Sequence, residues 1–250
     1  MSNTSNYIVI PARLQSTRLP RKMLLRETGK PLIQHTYEAA SKAVKAAGVC
    51  VATDHEDISR EVEDFGGRFQ MTSRTAASGT DRVAEVARDM PGVDVFVNVQ
   101  GDEPEVEPES IDHVITLLEK DPESSMATLA TPIRDRRILE DPNCVKVVLN
   151  ELGHAMYFSR SPIPFAREWS DALLYSEPPT FLLHLGIYAY RRNFLLDFAS
   201  RKSARVEDIE KLEQLRVLAA GHRIAVGIVN TAAPGIDTAE DYRAFVRRAA

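Results

Sequence analysis

The first half of the chain alternates strand-length apolar runs with segments of helical period, and that order leaves few folds open. Tyr7-Ile-Val-Ile10, Gly48–Ala52, Arg68–Met71 and Val93–Val99 read as strands. Between and after them, Pro31–Ala46, a segment opened by Asp54, Asp81–Met90 and Glu109–Glu119 read as helices. Pro31 suits a first helical turn, Asp54 is placed to cap the second helix, and Gly66-Gly67 ends it. Repetition of strand, helix and strand predicts an α/β fold with a mostly parallel, helix-covered sheet.

After Ser125 the pattern changes. Met126–Ile133, Val145–Leu149, His154–Ser159 and Phe181–Tyr190 read as strands, with turns such as Glu151-Leu-Gly153 between them. Asn193–Ser200 and Val206–Ala220 read as helices, Ile224–Val229 as a strand, and Thr238-Ala-Glu-Asp241 as a capping box opening a last helix. No repeat, low-complexity tract or linker divides the chain. One core, residues 7–125 and 222–250, with a strand-rich inserted lobe, residues 126–221, is the simplest organisation.

A net charge of −5 over 250 residues argues against nucleic acid as the main partner. Cys50 and Cys144 lie in apolar runs and read as reduced core residues, which suits a cytoplasmic protein. No run has membrane-spanning length. The polar stretch Met1–Asn6 is expected to be a short frayed terminus rather than a signal peptide.

Against that acidic background, the loop Pro11-Ala-Arg-Leu-Gln-Ser-Thr-Arg-Leu-Pro-Arg-Lys22 carries Arg13, Arg18, Arg21 and Lys22 with no acid among them. A loop leaving the carboxyl end of the first strand is where an open α/β sheet binds its ligand. Guanidinium and ammonium groups there point to a polyanion, most simply a nucleoside triphosphate. A solvated basic loop is the competing reading. The apolar strand Val93–Val99 ends in Gln100-Gly-Asp-Glu103, aiming Asp102 into the same crevice. Mg²⁺ uses one or two carboxylates together with substrate phosphates, so Asp102 suits it. Glu103 reads as a solvated neighbour, and Gly-Asp is also a common turn pair. Asp237 is a second candidate acid, although it also precedes the Thr238 cap, and spacing leaves both readings open.

Ser78-Gly-Thr-Asp-Arg82 opens a helix with small residues, which allows close backbone approach to a ligand and equally serves as ordinary capping. In His184-Leu-Gly-Ile-Tyr-Ala-Tyr190, alternation puts His184, Gly186, Tyr188 and Tyr190 on one face, suited to a hydroxylated ligand. A helix over Val206–Ala220 would put Glu207, Glu210, Glu213 and Gln214 on one arc, either solvated or facing a polar cavity.

Together these strings resemble the 3-deoxy-D-manno-octulosonate (Kdo) cytidylyltransferases, also called CMP-Kdo synthetases. The matching segments are Ile10-Pro-Ala-Arg13, Ser16-Thr-Arg-Leu-Pro20, Ala52-Thr-Asp-His-Glu-Asp57, Ser78-Gly-Thr80 and Val97-Asn-Val-Gln-Gly-Asp-Glu-Pro104. Further on come Val145-Lys-Val-Val148, Tyr157-Phe-Ser-Arg160, His184-Leu-Gly-Ile-Tyr188, Lys211-Leu-Glu-Gln-Leu-Arg216 and Gly235-Ile-Asp-Thr238, all in family order. The resemblance implies a Rossmann-like nucleotidyltransferase core, a homodimer, and Mg²⁺-dependent transfer of CMP from CTP onto Kdo for lipopolysaccharide assembly. It implies that Arg13, Arg18 and Lys22 bind the triphosphate and that Ala12, Ser78, Gly79, Arg82 and Gln100 contact the cytidine or sugar ends. Asp102 and Asp237 would hold Mg²⁺, and with Arg13 and Lys22 they form the expected catalytic set. Arg160, His184, Tyr188, Glu213 and Gln214 would line the sugar pocket, Arg160 facing the sugar carboxylate.

Three departures stand out. Arg21, Lys22 and Met23 replace the Gly-Lys-Pro of many relatives, Thr75-Ala-Ala77 replaces Asp-His-Gln, and Ala204-Arg-Val-Glu207 replaces Ser-Pro-Leu-Glu. Ala77 and Arg205 resemble branches that accept 8-amino-8-deoxy-Kdo. The His184 and Gln214 strings argue against a CMP-sialate synthetase, and the first loop lacks the glycines of a sugar-1-phosphate nucleotidyltransferase. A nucleotide-sensing protein on the same fold would lack a use for two separated metal-type aspartates.

Overall fold

A computed structural model describes residues 5–16 and 18–249. Its strands are β1 (Asn6–Ala12), β2 (Val49–Thr53), β3 (Phe69–Met71), β4 (Val95–Asn98), β5 (Ser124–Pro132), β6 (Lys146–Leu149), β7 (Ala155–Ser159), β8 (Leu182–Arg191) and β9 (Arg223–Ile228). The helices are α1 (Leu32–Ala40), α2 (Glu56–Asp64), α3 (Gly79–Asp89), α4 (Pro108–Lys120), α5 (Arg136–Glu140), α6 (Arg192–Ser200), α7 (Arg205–Glu210), α8 (Gln214–Ala219) and α9 (Ala239–Ala249).

β1 is buried along its whole length because both faces are covered. Ile8 and Ile10 pack with Ile33, Ile58, Ile111 and Ile115 from α1, α2 and α4, while Tyr7 and Val9 pack with Val83, Ala87, Leu195 and Phe198 from α3 and α6. β3, β2, β1 and β4 run parallel, as the strand–helix repeat requires. β8 then runs antiparallel between β4 and β5, and β9 pairs in parallel with β5, giving the order β3-β2-β1-β4-β8-β5-β9. β5 and β8, from the strand-rich half, thus extend the main sheet, and the β6–β7 hairpin branches from β8. α9 docks through Tyr242 and Phe245 on Leu32 and Ile236. Among the described residues, no helix is long and apolar enough to cross a membrane.

Four sequence expectations change. The helix predicted over Pro31–Ala46 stops at Ala40, because Asp112 of α4 accepts the backbone N–H groups of Val44 and Lys45 and holds them in a turn. α2 is capped by His55, whose Nδ1 accepts from Asp57 N; Asp54 instead pairs with Arg82. The helix predicted over Val206–Ala220 breaks into α7 and α8 at Lys211, which adopts a left-handed φ of 55°. Of the terminus expected to fray, residues 1–4 lie outside the described residues, while Asn6 is a buried β1 residue in register with Val95.

Candidate active site

The carboxyl ends of β1 and β4 open into a cavity of about 480 Å³. Arg13, Arg18 and Lys22 from the first loop line it, with Ser78 and Gly79 at the start of α3 and Gln100, Asp102 and Asp237 opposite. Thr17 lies outside the described residues. The entrance of α3 is fixed by a capping box: Ser78 Oγ accepts from Asp81 N, and Asp81 accepts from Ser78 N. That leaves the first helical N–H groups of α3 at the cavity wall, where an anion is favoured. Gly79 packs closely there: a Cβ would come within 3.2 Å of the Pro11 ring, which would have to shift slightly. Ala12 is fully buried at the end of β1, beneath this cavity.

Lys22 is only 6% exposed. Its ammonium donates to Asp102 Oδ2 at 2.5 Å and to Ile236 O at 2.6 Å, and lies 3.6 Å from Asp237 Oδ1. Arg18 meets the same Asp237 oxygen at 2.9 Å. Both carboxylates therefore face the Lys22 ammonium, and as hard oxygen donors at the cavity wall their chemistry also suits a divalent ion. No third His, Cys, Asp or Glu joins them into a closed cage among the described residues. Mg²⁺ commonly keeps such open sites and completes its shell with water and phosphate oxygens.

Arg21 points elsewhere. Its guanidinium pairs with Asp57 of α2 at 2.8 Å, and its backbone is left-handed at φ 54°. Glycine would adopt that conformation freely; arginine does so at a cost of about 1–2 kcal/mol.

A second cavity, about 530 Å³, adjoins the first and shares Gly79, Gln100, Glu213 and Asp237 with it. His184, Gly186, Tyr188 and Tyr190 of β8 form one wall, as strand alternation predicts, and Lys211, Glu213 and Gln214 form another. The break at Lys211 is what aims this second wall inward. Glu207 and Glu210 do not share it: Glu207 binds Arg216 at 2.5–2.8 Å, and Glu210 accepts from Ser159 and from the Arg160 backbone. The Arg160 guanidinium donates to Pro142 O and Glu210 O, beside the Asn143–Val145 rim of the cavity rather than inside it. Lys146, fully buried, ties that rim to Arg160 by donating to Asp141 O, Cys144 O and Arg160 O.

A third cavity, about 570 Å³, continues from Arg13 and Gln15 to Asp54, His55, Arg74 and Arg82. Arg82 is buried, donating to Thr72 Oγ1 and Asp54 Oδ2 at 2.7 and 2.8 Å, and its Nε has no partner among the described residues.

Sequence reasoning missed Glu103, Thr80, Asn98 and Lys211 as cavity residues. Glu103 is not a solvated neighbour: it is half-buried between both sides of β8, and desolvation with Asp102 nearby pushes its carboxyl up to about 8. Thr80 Oγ1 orients Glu213 by donating to Oε2 at 2.7 Å. Asn98, a polar residue ending an apolar strand, was the readable signal, and its Oδ1 accepts from Gln100.

Burial pushes His184 down to about 3. The unfolded ring takes up its proton near 6.5, so between these values the unfolded state binds more protons and stability rises with pH. Below about pH 6.5, unfolding free energy should fall by up to about 1.4 kcal/mol per pH unit from this group alone. Urea denaturation from about pH 7 to about pH 5 should show that slope reduced in His184→Gln; equal slopes would refute it.

An open α/β sheet that gathers a polyanion loop, a helix N-terminus and paired carboxylates at its strand ends has the makings of a nucleotidyltransferase. Comparison with known proteins narrows the class. A family model described as Cytidylyltransferase matches residues 7–224. A 3-deoxy-manno-octulosonate cytidylyltransferase of Rhodopirellula baltica is 52% identical over 242 residues, covering 96% of this chain and 97% of that protein. An 8-amino-3,8-dideoxy-manno-octulosonate cytidylyltransferase of Shewanella woodyi is 47% identical, covering 94% and 95%. Among solved structures, a CMP:2-keto-3-deoxy-manno-octonic acid synthetase complexed with CTP superimposes with a TM-score of 0.91 at 40% identity, over 98% of both chains. The chain belongs to the cytidylyltransferase family, in the branch of the octulosonate enzymes.

Proposed function

We propose that the protein transfers CMP from CTP to the anomeric hydroxyl of Kdo, releasing pyrophosphate. The observation that carries this reading is the seam between the two large cavities, where Gln100, Glu213 and Asp237 face both. A triphosphate on the basic side and a keto sugar on the other would meet there, the sugar oxygen in line with the α-phosphorus. Positioning and charge stabilisation carry most of such a transfer. Arg13, Arg18 and Lys22 supply positive charge where pyrophosphate leaves, and the α3 N–H groups hold phosphate oxygens. Asp102 and Asp237 would hold Mg²⁺, which supplies charge screening and acidification of a nearby hydroxyl. Arg160, held beside the rim by Pro142 O and Glu210 O, would leave Pro142 O to meet the sugar carboxylate.

The same reaction on 8-amino-8-deoxy-Kdo is the second reading, favoured by Glu103 and Glu213, two carboxyl groups in the sugar cavity that would suit an amine. Pyrophosphate release from CTP and Mg²⁺ with each octulosonate, N-acetylneuraminate being the control, tests both. Release is expected with Kdo; release only with the amino sugar moves the assignment, and silence with both overturns it.

A cytoplasmic homodimer serving lipopolysaccharide assembly completes the proposal. The strand-rich half supports the dimer by exposing Met156, Tyr157, Phe165 (87%), Trp169 and Tyr175. A monomer in sedimentation equilibrium would contradict it.

A further inference from the structure

Thr128 sits where β5 slips register against β8, between Thr128 and Leu129, and is fully buried. Three groups converge on its hydroxyl oxygen: Ile187 O at 2.8 Å, Leu185 O at 3.0 Å and His184 Nε2 at 3.1 Å. A threonine hydroxyl has one proton and two lone pairs. Were the proton given to the imidazole, those lone pairs would face two carbonyl oxygens at hydrogen-bond distance, with no donor between them. Given to Ile187 O, the nearest acceptor, it leaves a lone pair free to accept from the ring, and only one carbonyl, Leu185 O, then faces the hydroxyl without a donor. His184 Nε2 must then carry the ring proton, and Nδ1 is bare.

Nδ1 has no hydrogen-bond partner among the described residues, and it is not sealed off; the ring lines the sugar cavity and also a smaller cavity with Glu107 and Thr231. The ring plane is held by Phe158, edge-on at 5.0 Å, and by Tyr188 at 5.4 Å, while His184 N donates to Val145 O. Burial keeps the imidazole neutral, so it cannot become a double donor at ordinary pH. We propose that Thr128 is a positioning residue that fixes His184 as the Nε2–H tautomer, so that Nδ1 meets the sugar as a hydrogen-bond acceptor. The inference rests on the reading of this cavity as the sugar site. It makes that wall selective for a donor: a sugar hydroxyl or amine N–H pairs with Nδ1, whereas a carboxylate, a ring oxygen or a methyl ether at the same point does not.

Two measurements test this on the full-length protein. In ¹⁵N-histidine-labelled wild type, the imidazole signals assigned by their loss in His184→Gln should show a protonated Nε2 and an unprotonated Nδ1. In Thr128→Val, which keeps the shape and removes the hydroxyl, that signature should give way to a tautomer mixture. The KM for the octulosonate should rise about 5–10-fold, the factor for one neutral hydrogen bond. The KM for CTP should hold, and Thr128→Ser should restore both readouts. A wild-type ring protonated on Nδ1, or a valine variant with unchanged tautomer and sugar KM, overturns the proposal. The wild-type spectrum decides the tautomer even where the valine variant does not fold. Absence of turnover with any octulosonate would overturn the cavity's assignment while leaving the Thr128–His184 tautomer to be judged by the spectrum.

Discussion

Replacing Asp102 with asparagine is expected to lower kcat by about 10²–10³-fold, the size of effect seen when one group stabilising transition-state charge is lost. The fold should not change. Asp102 is held through its backbone, its carbonyl accepting from Ile236 N at 2.9 Å, and asparagine keeps both that bond and the side-chain volume. Its side chain is 27% exposed, so a neutral amide facing Lys22 is solvated rather than stranded. Arg13, Arg18 and Lys22 still line the triphosphate cavity, so CTP binding measured without metal should stay within a few-fold. Steady-state kinetics with pyrophosphate detection, beside calorimetric CTP binding, gives the answer. A variant turning over at the parental rate would remove Asp102 from the metal role, whereas loss of CTP binding would show that it shapes the nucleotide site.

What made Asp102 readable is its place after an apolar strand buried on both faces, where α/β sheets keep their ligands. The basic loop was readable for the same reason. α3 was readable because Ser78 and Asp81 satisfy each other's backbone N–H groups, a local device that needs no tertiary partner. The features that escaped depend on contacts distant in sequence. Nothing around Lys211 signals a helix break, since lysine is a good helix former and neither glycine nor proline stands there. The break is compatible with α8 because Glu207 is turned to Arg216 across it, at 2.5 Å. The continuous arc of Glu207, Glu210, Glu213 and Gln214 therefore splits, two residues serving structure and two facing the cavity. Glu103 escaped because it is covered by β8, distant in sequence, with Gly186 lying against its carboxyl. Asp54 looked like a cap until Arg82, 28 residues on, claimed it.

Replacing Lys22 with methionine should cost more than replacing Asp102, because it strikes binding and chemistry together. Methionine matches the length of the stem, so the nearly sealed channel stays filled, but the charge is gone. Ile236 O then loses its donor, and Asp102 and Asp237 lose the cation between them. A buried acceptor left without its partner costs about 1–3 kcal/mol, which urea denaturation should register. The segment carrying Ile236 and Asp237 is anchored by this lysine at one end and by the Asp241 capping contacts at the other. Loosening it displaces the carboxylate that faces both cavities. CTP affinity should therefore fall about 10-fold or more and kcat/KM by about 10³-fold. Lys22→Arg should not rescue, since a planar guanidinium cannot occupy the compact position the ammonium holds against three oxygens. The contrast between the variants is the sharpest check on the arrangement. If Asp102 serves the transition state and Lys22 serves both nucleotide and carboxylates, D102N alters kcat alone while K22M alters CTP binding as well. Adding K22M to D102N should then cost less than the separate losses predict, because the charge pairing between them is already lost. Strict additivity in that cycle, or parental CTP affinity in K22M, would mean that the lysine holds the loop in place and takes no part in recognising the triphosphate.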